Sequence, residues 1–268
     1  MATLLLRGVA TVALAYPFCN DAWRLELKHR WSRDMLDILG VRLEADLSHL
    51  VPGSMVVANH ISWLDIFIIN AALPAAFVAK EEVRHWPLLG WLAAANDTVF
   101  LRRGSRGHAR IINQEIAGLL AAGKPVAVFP EGTTTDGTHL LHFHAALLQP
   151  ALAAGRPVVP VAISYWEPDG SRSLAPRYDG PITLGQSLAA ILSRRRLVAR
   201  LVTTPALGGQ GLDRRTVATA ARAAISAAAA LPPPSNPPGK PAGLPGAGPS
   251  DARPTGTPSR EPEDSAVI

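Results

Sequence analysis

The stretch "VVANHISWLDIF", residues 56–67, decides how this chain is read. Three apolar positions lead to Asn59 and His60, Ser62 follows, and Asp65 stands five residues beyond the histidine. A short apolar run bounded by polar residues is the pattern of a strand buried on both faces, and residues 62–72 read as the helix after it. A buried strand that turns into a helix delivers its last side chains to the carboxyl edge of a sheet, where open α/β folds build their sites. Residues five apart on one helix are about 140° apart rather than on one face, so His60 has to precede the helix if it meets Asp65. With Ser62 as N-cap, Asp65 falls in the first turn and its carboxylate can point back to the strand end. "SWLD" is also a capping box, worth about 1 kcal/mol, which gives Asp65 a purely structural reason to be there. His60 taken alone reads as a satisfied buried histidine at a strand end.

The flanking sequence repeats the alternation. "MVVANH" (55–60), "AAFVAK" (75–80), "DTVFLR" (97–102), "KPVAVFP" (124–130) and "RPVVPVAISY" (156–165) read as strands, with a later one near "RRLVARLVTT" (195–204). Residues 105–122, 140–154 and 212–230 read as helices. The pattern predicts an α/β fold over 41–230, a mixed and largely buried sheet flanked by helices. Residues 231–268 are rich in proline and glycine and lack aromatic residues; such a segment cannot bury enough apolar surface to offset chain entropy, so a disordered tail is expected.

Residues 1–40 predict apolar and amphipathic membrane-associating helices. Arg7 interrupts "MATLLLRGVATVALAYPFC", leaving an apolar run shorter than the roughly 20 residues of a spanning helix. No convincing cleavage site follows, so a shallow anchor fits better than a signal peptide. In "DAWRLELKHRWSRDMLDILG" (21–40), Trp23, Leu27, Trp31, Met35 and Ile38 or Leu39 recur at helical steps, with Arg24, Lys28, Arg30 and Arg33 on other faces. That stripe either packs on the domain's own core or lies in a membrane interface, and the two readings are compatible. The net charge of +5 suits an anionic partner. Nucleic acid is set aside, because no binding motif or aromatic-spaced basic strand accompanies the charge. The lone Cys19 excludes an internal disulfide and a CxxC metal site.

A histidine oriented by a carboxylate is a general base in search of a hydroxyl or thiol. The chain has no G-x-S-x-G elbow, and its one cysteine lies in the apolar N-terminal segment, so the base is expected to act on a substrate hydroxyl. Two further stretches sit at strand ends. In "VFPEGTTTDG" (128–137), Pro130 stops the ladder, Glu131 brings a charge to the edge, and Gly132 permits a turn other residues resist. "FLRR" ends in Arg102 and Arg103, guanidinium groups that can grip phosphate in pairs. "GLLAAGKP" at 118–125 runs from helix into strand and lacks the Ser or Thr of a phosphate loop. The steps between His139, His142 and His144 do not put all three on one helical face, so no metal is expected.

The order NHxxxxD, FxxR, FPEGT and then "VVPVAI" (158–163), with "AKEEVRHWPLLGWLA" (79–93) between, resembles the 1-acyl-sn-glycerol-3-phosphate acyltransferase family and the wider glycerolipid acyltransferases from about residue 41 to about residue 205. The resemblance implies transfer of a fatty acyl group from acyl-CoA or acyl-carrier protein to the sn-2 hydroxyl of 1-acyl-sn-glycerol 3-phosphate, giving phosphatidic acid. No covalent enzyme intermediate and no cofactor are implied. His60 then takes the hydroxyl proton and Asp65 steadies the imidazole. Arg103 and the Glu131, Gly132 and Thr133 turn bind the acceptor headgroup, with Arg102 and Lys80 as further contacts. The implied partners are the bilayer, a lysophospholipid and the acyl donor, at the cytoplasmic face of a bacterial inner membrane, with the chain monotopic or peripheral. One departure is Thr134 and Thr135, where many members carry arginine and then serine. Loss of that cation makes lyso-ornithine lipid a rival acceptor. A catalytically silent lipid-binding membrane protein is the alternative of another class.

Overall fold

The computed structural model describes residues 2–102, 106–194, 196–208 and 212–231. Arg103 and residues 232–268 of the expected tail lie outside them. The chain opens with α1 (Ala2–Ala10), two short irregular turns to Phe18, and α2 (Asp21–Ile38). Then follow β1 (Val41–Asp46), β2 (Met55–Ala58), α3 (Asp65–Ala72), β3 (Ala76–Lys80), α4 (Leu89–Ala94), β4 (Val99–Leu101) and α5 (Arg106–Ala121). The second half is β5 (Val126–Val128), α6 (Gln149–Ala153), β6 (Val158–Trp166), α7 (Leu184–Leu192), β7 (Leu197–Thr203) and α8 (Arg214–Ala228).

Among the described residues the strands form one mixed sheet of order β1-β7-β6-β2-β5-β3-β4. The run β6-β2-β5-β3-β4 is parallel, whereas β7 is antiparallel to β6 and β1 parallel to β7. The carboxyl ends of β2, β3, β4, β5 and β6 therefore share one edge. The strand period of two divides β2 between two cores. Val56 and Ala58 pack with Met35, Leu36, Leu64 and Ile68, from α2 and α3 and the turn before α3. Met55 and Val57 pack with Ile116 and Leu120 of α5 and with Ala221 and Ile225 of α8. Both faces of β2 are covered, which explains its unbroken apolar run.

Three details differ from the sequence expectation. Residues 140–144 are not helical; a 3-10 turn at Ala145–Leu148 precedes the single turn of α6, which begins with Gln149 and Pro150. The helix after His60 starts at Asp65, not just past Ser62: the Ser62 hydroxyl accepts from the Leu64 amide at 3.2 Å, so only the Asp65 half of the capping box forms. Lys28 is not on an exposed face of α2. Its side chain is buried and its Nζ donates to the Ala75 carbonyl at 2.9 Å, and burial pushes its pKa down to about 8. The buried side of α2 is Lys28, Ser32, Met35 and Leu36, and Leu39 just past it is also buried, so the stripe is rotated from the one drawn through Trp23, which is exposed.

The N-terminal helices do not stand apart from the sheet. Leu4, Met35, Leu36 and Leu39 belong to the apolar cluster that holds Ala58, Val161 and Ile163. Val12 and Tyr16 pack on Leu92 of α4, and the Tyr16 hydroxyl donates to Asn96 at 2.9 Å. No helix among the described residues is long and apolar enough to cross a membrane.

Candidate active site

The site forms where β2 runs out. Asn59, the residue after the strand, is buried and uses its side chain as if it were backbone: Oδ1 accepts from the Ile163 amide at 2.7 Å and Nδ2 donates to the Ile163 carbonyl at 3.0 Å. That amide continues the β2–β6 ladder one step beyond the strand while the main chain turns away. His60 sits at the turn. Its Nδ1 lies 2.8 Å from Asp65 Oδ2, with both side chains almost wholly buried. A carboxylate only accepts, so Nδ1 carries the hydrogen, and in the neutral ring Nε2 is the basic nitrogen.

Asp65 has four donors. Oδ2 also accepts from the amides of Ile61 at 2.7 Å and Ser62 at 2.9 Å, and Oδ1 accepts from the Tyr165 hydroxyl at 2.5 Å. The five-residue spacing has a direct explanation. Asp65, at the head of α3, points back over its own turn and caps it, and the same oxygen takes the imidazole. The Phe129 ring stacks on His60, centroids 4.0 Å apart and planes 12° apart.

The 131–135 turn holds His60 by its backbone. Glu131 Oε1 accepts from the His60 amide at 2.9 Å and Oε2 from the Leu141 amide at 2.8 Å, and the Thr135 amide donates to the His60 carbonyl at 2.9 Å. Glu131 is buried, which pushes its pKa up, against the opposing effect of those two amide bonds. Gly132 adopts φ +70°, the left-handed conformation for which glycine is suited. Both carboxylate oxygens of Glu131 thus accept backbone amides inside the protein.

Two other expected site residues, Lys80 and Arg102, lie at the carboxyl ends of strands on the same edge. Lys80 ends β3, half-buried, and Arg102 follows β4, exposed. By sheet order these strands are two and three places from β2, roughly 10 and 15 Å at the usual spacing of about 4.8 Å. Arg103 lies outside the described residues. Thr133 lines a cleft of about 600 Å³ with Thr134, Asp136, Tyr178 and Asp179. Asp179 takes a paired bond from Arg177 at 2.8 and 2.9 Å. A larger cleft of about 1030 Å³, bordered by Arg33, Arg42, Trp166, Arg196 and Arg200, contains none of these site residues.

A buried imidazole oriented by a carboxylate at the carboxyl edge of a mostly parallel sheet defines a class, an α/β protein equipped for general-base chemistry. The comparisons narrow it. The acyltransferase family model matches residues 45–164. Lyso-ornithine lipid O-acyltransferase of Pseudomonas aeruginosa is 44% identical over 169 residues, 63% of this chain and 65% of that protein. 1-Acyl-sn-glycerol-3-phosphate acyltransferase of Neisseria meningitidis is 41% identical over 149 residues, 56% of this chain and 58% of that protein. Lyso-ornithine lipid O-acyltransferase of Rhodobacter capsulatus is 36% identical over 197 residues, 70% of each chain. The match thus spans somewhat less than two thirds of the length of the first two relatives. The crystal structure of the 1-acyl-sn-glycerophosphate acyltransferase of Thermotoga maritima superposes with a TM-score of 0.58 at 21% identity, covering 85% of this chain and 95% of that one, which supports the fold. The chain belongs to the glycerolipid acyltransferase family.

Proposed function

We propose that this chain is an O-acyltransferase that moves a fatty acyl group from a thioester, acyl-CoA or acyl-carrier protein, to the free hydroxyl of a lysolipid. The observation that carries the reading is the buried His60–Asp65 pair, 2.8 Å apart at the sheet edge. Nε2 of His60 takes the hydroxyl proton as the oxygen attacks the thioester carbonyl. Collapse of the tetrahedral adduct breaks the carbon–sulfur bond, and the proton passes from the imidazolium to the departing thiolate. Asp65 keeps the ring in the productive tautomer and offsets its positive charge during the step. The 131–135 turn fixes where the imidazole stands.

The first acceptor we propose is 1-acyl-sn-glycerol 3-phosphate, acylated at its sn-2 hydroxyl to phosphatidic acid, with Lys80 and Arg102 at the edge, and Arg103 next to Arg102 in sequence, as its phosphate contacts. A second reading, lyso-ornithine lipid, is favoured by one local feature. Thr134 and Thr135 are buried where an arginine and a serine are common, and the cleft beside them presents Asp136 and Asp179. The chain meets its acceptor at a bilayer, proposed as the cytoplasmic face of a bacterial inner membrane. Leu6, Leu14, Phe18 and Trp23 are exposed along the N-terminal segment, with Arg7 and Arg30 nearby in sequence.

The test is the purified full chain with radiolabelled acyl-CoA and a panel of lysophosphatidate, other lysophospholipids and lyso-ornithine lipid. Label on lysophosphatidate is expected. Exclusive labelling of lyso-ornithine lipid replaces the first acceptor with the second. Absence of label on every lysolipid, from either acyl-CoA or acyl-carrier protein, defeats the enzymatic reading.

A further inference from the structure

Tyr165 stands at position 8 of the nine residues of β6, the strand beside β2. Its side chain is 1% exposed, within the apolar cluster that also contains Ile61, Leu64 and Ile163. By position it is a core aromatic. Its hydroxyl, however, donates to Asp65 Oδ1 at 2.5 Å, across 100 residues of sequence. Oδ2 of the same carboxylate carries the imidazole and two amides of its own turn. Three of the four donors are thus local to residues 60–62, and the fourth comes from another strand.

The division of labour follows from geometry. Rotation about the soft Cβ–Cγ torsion of Asp65 moves both carboxylate oxygens together, so a bond that holds Oδ1 also restrains where Oδ2 lies. The bond to Oδ1 comes from a strand of the sheet, so it adds to the local bonds a restraint from outside the turn on the plane from which Oδ2 meets Nδ1. Burial and the adjacent carboxylate push the Tyr165 pKa well above the ordinary tyrosine value, so the hydroxyl remains a donor at any working pH. Ser164 and Trp166 on either side point to other partners, the Trp166 indole donating to the Ser164 hydroxyl at 2.9 Å.

We propose that Tyr165 is a positioning residue for acyl transfer: through Asp65 it sets the orientation of the His60 imidazole, and it makes no contact with substrate. The proposal rests on the general-base reading of His60 given above.

The experiment is a double-mutant cycle on the full chain, Tyr165→Phe, Asp65→Asn and the pair, with kcat and KM measured for the lysolipid acceptor. Thermal melting accompanies each variant, and the His60 ring is followed by nitrogen-15 NMR. Phenylalanine keeps the ring that fills the core. For Tyr165→Phe, kcat is expected to fall about 10-fold with KM within about twofold, the size of one charged hydrogen bond, and the His60 Nδ1 resonance is expected to shift. In the Asp65→Asn background the same substitution is expected to change kcat by less than about twofold, because the carboxylate it acts through is gone. Multiplicative losses, or an unmoved Nδ1 resonance in a folded Tyr165→Phe protein, overturn the proposal. If Tyr165→Phe does not fold, 3-fluorotyrosine at position 165 keeps the ring and makes the hydroxyl a stronger acid and so a stronger donor to Asp65, and an unchanged Nδ1 resonance then overturns it. An active His60→Ala control overturns instead the general-base reading beneath it.

Discussion

The end of β2 and the N-terminal segment treat their side chains in opposite ways. At the end of β2, Asn59, His60, Asp65 and Glu131 are all at most 4% exposed, and each is tied by hydrogen bonds to a specified atom. In the N-terminal segment, Phe18 is 89% exposed, Leu14 72% and Leu6 70%, although Val12 and Tyr16 between them are packed on α4. Polar groups taken out of water have to be fully paired, and a half-satisfied set is costly. Apolar groups left in water need a non-aqueous partner or a tolerated loss. The first region is built for fixed proton geometry. The second has apolar surface to place against a partner, which we propose is the bilayer that holds the acceptor.

Substitutions can break this contrast from either side. His60→Ala carries the largest effect: kcat should fall by roughly 10³-fold or more, the scale of a lost general base, while sedimentation with vesicles is unchanged. Joint loss of both would mean the two regions are not separate. Glu131→Gln comes next. One of the His60 and Leu141 amides then faces an amide donor instead of an oxygen, costing about 1–3 kcal/mol; kcat should fall roughly 10- to 100-fold, and Tm by several degrees. A rise in KM alone, with kcat unchanged, would place the role of Glu131 at the acceptor headgroup instead.

Leu14→Ser with Phe18→Ser probes the other side. Removing two exposed apolar groups should weaken binding to anionic vesicles roughly 10- to 100-fold, with kcat on detergent-dispersed acceptor unchanged. Undiminished vesicle binding would remove the anchor. The smallest effect concerns Lys28. Its pKa is about 8 in the fold against 10.5 for an ordinary lysine, so between those values the unfolded chain binds more protons than the folded one. Folding stability therefore rises with pH across that window. Lys28→Met should flatten the rise, measured as Tm from pH 8 to 10.5, and an equal rise in the variant would assign it elsewhere.

Much of the parallel core could be read in the sequence, because strands buried on both faces announce themselves as unbroken apolar runs. Edge strand β1 could not. "VRLEAD" alternates charge with apolar residues and is only partly buried, so its composition is close to that of a loop. Lys28 misled for a related reason, since a cation on an amphipathic helix is ordinarily solvated and only the approach of the Ala75 carbonyl gives it a place indoors. Tyr165 was invisible for the opposite reason: in an apolar run an aromatic ring is already explained, and its hydroxyl partner is 100 residues away.

The sequence by itself determined which groups arrive at the carboxyl edge. A buried strand must end, and "NHISWLD" and "FPEGT" are what follow two such ends; the turn from His60 to Asp65 is a step of five residues and closes on its own local bonds. Which partner each group takes was decided only by tertiary structure. Glu131 reaches the His60 amide across 71 residues, and Tyr165 reaches Asp65 from the neighbouring strand. Hydrogen bonds of that range depend on the order of strands in the sheet, and strand order is set by packing of the whole chain, not by any stretch of it.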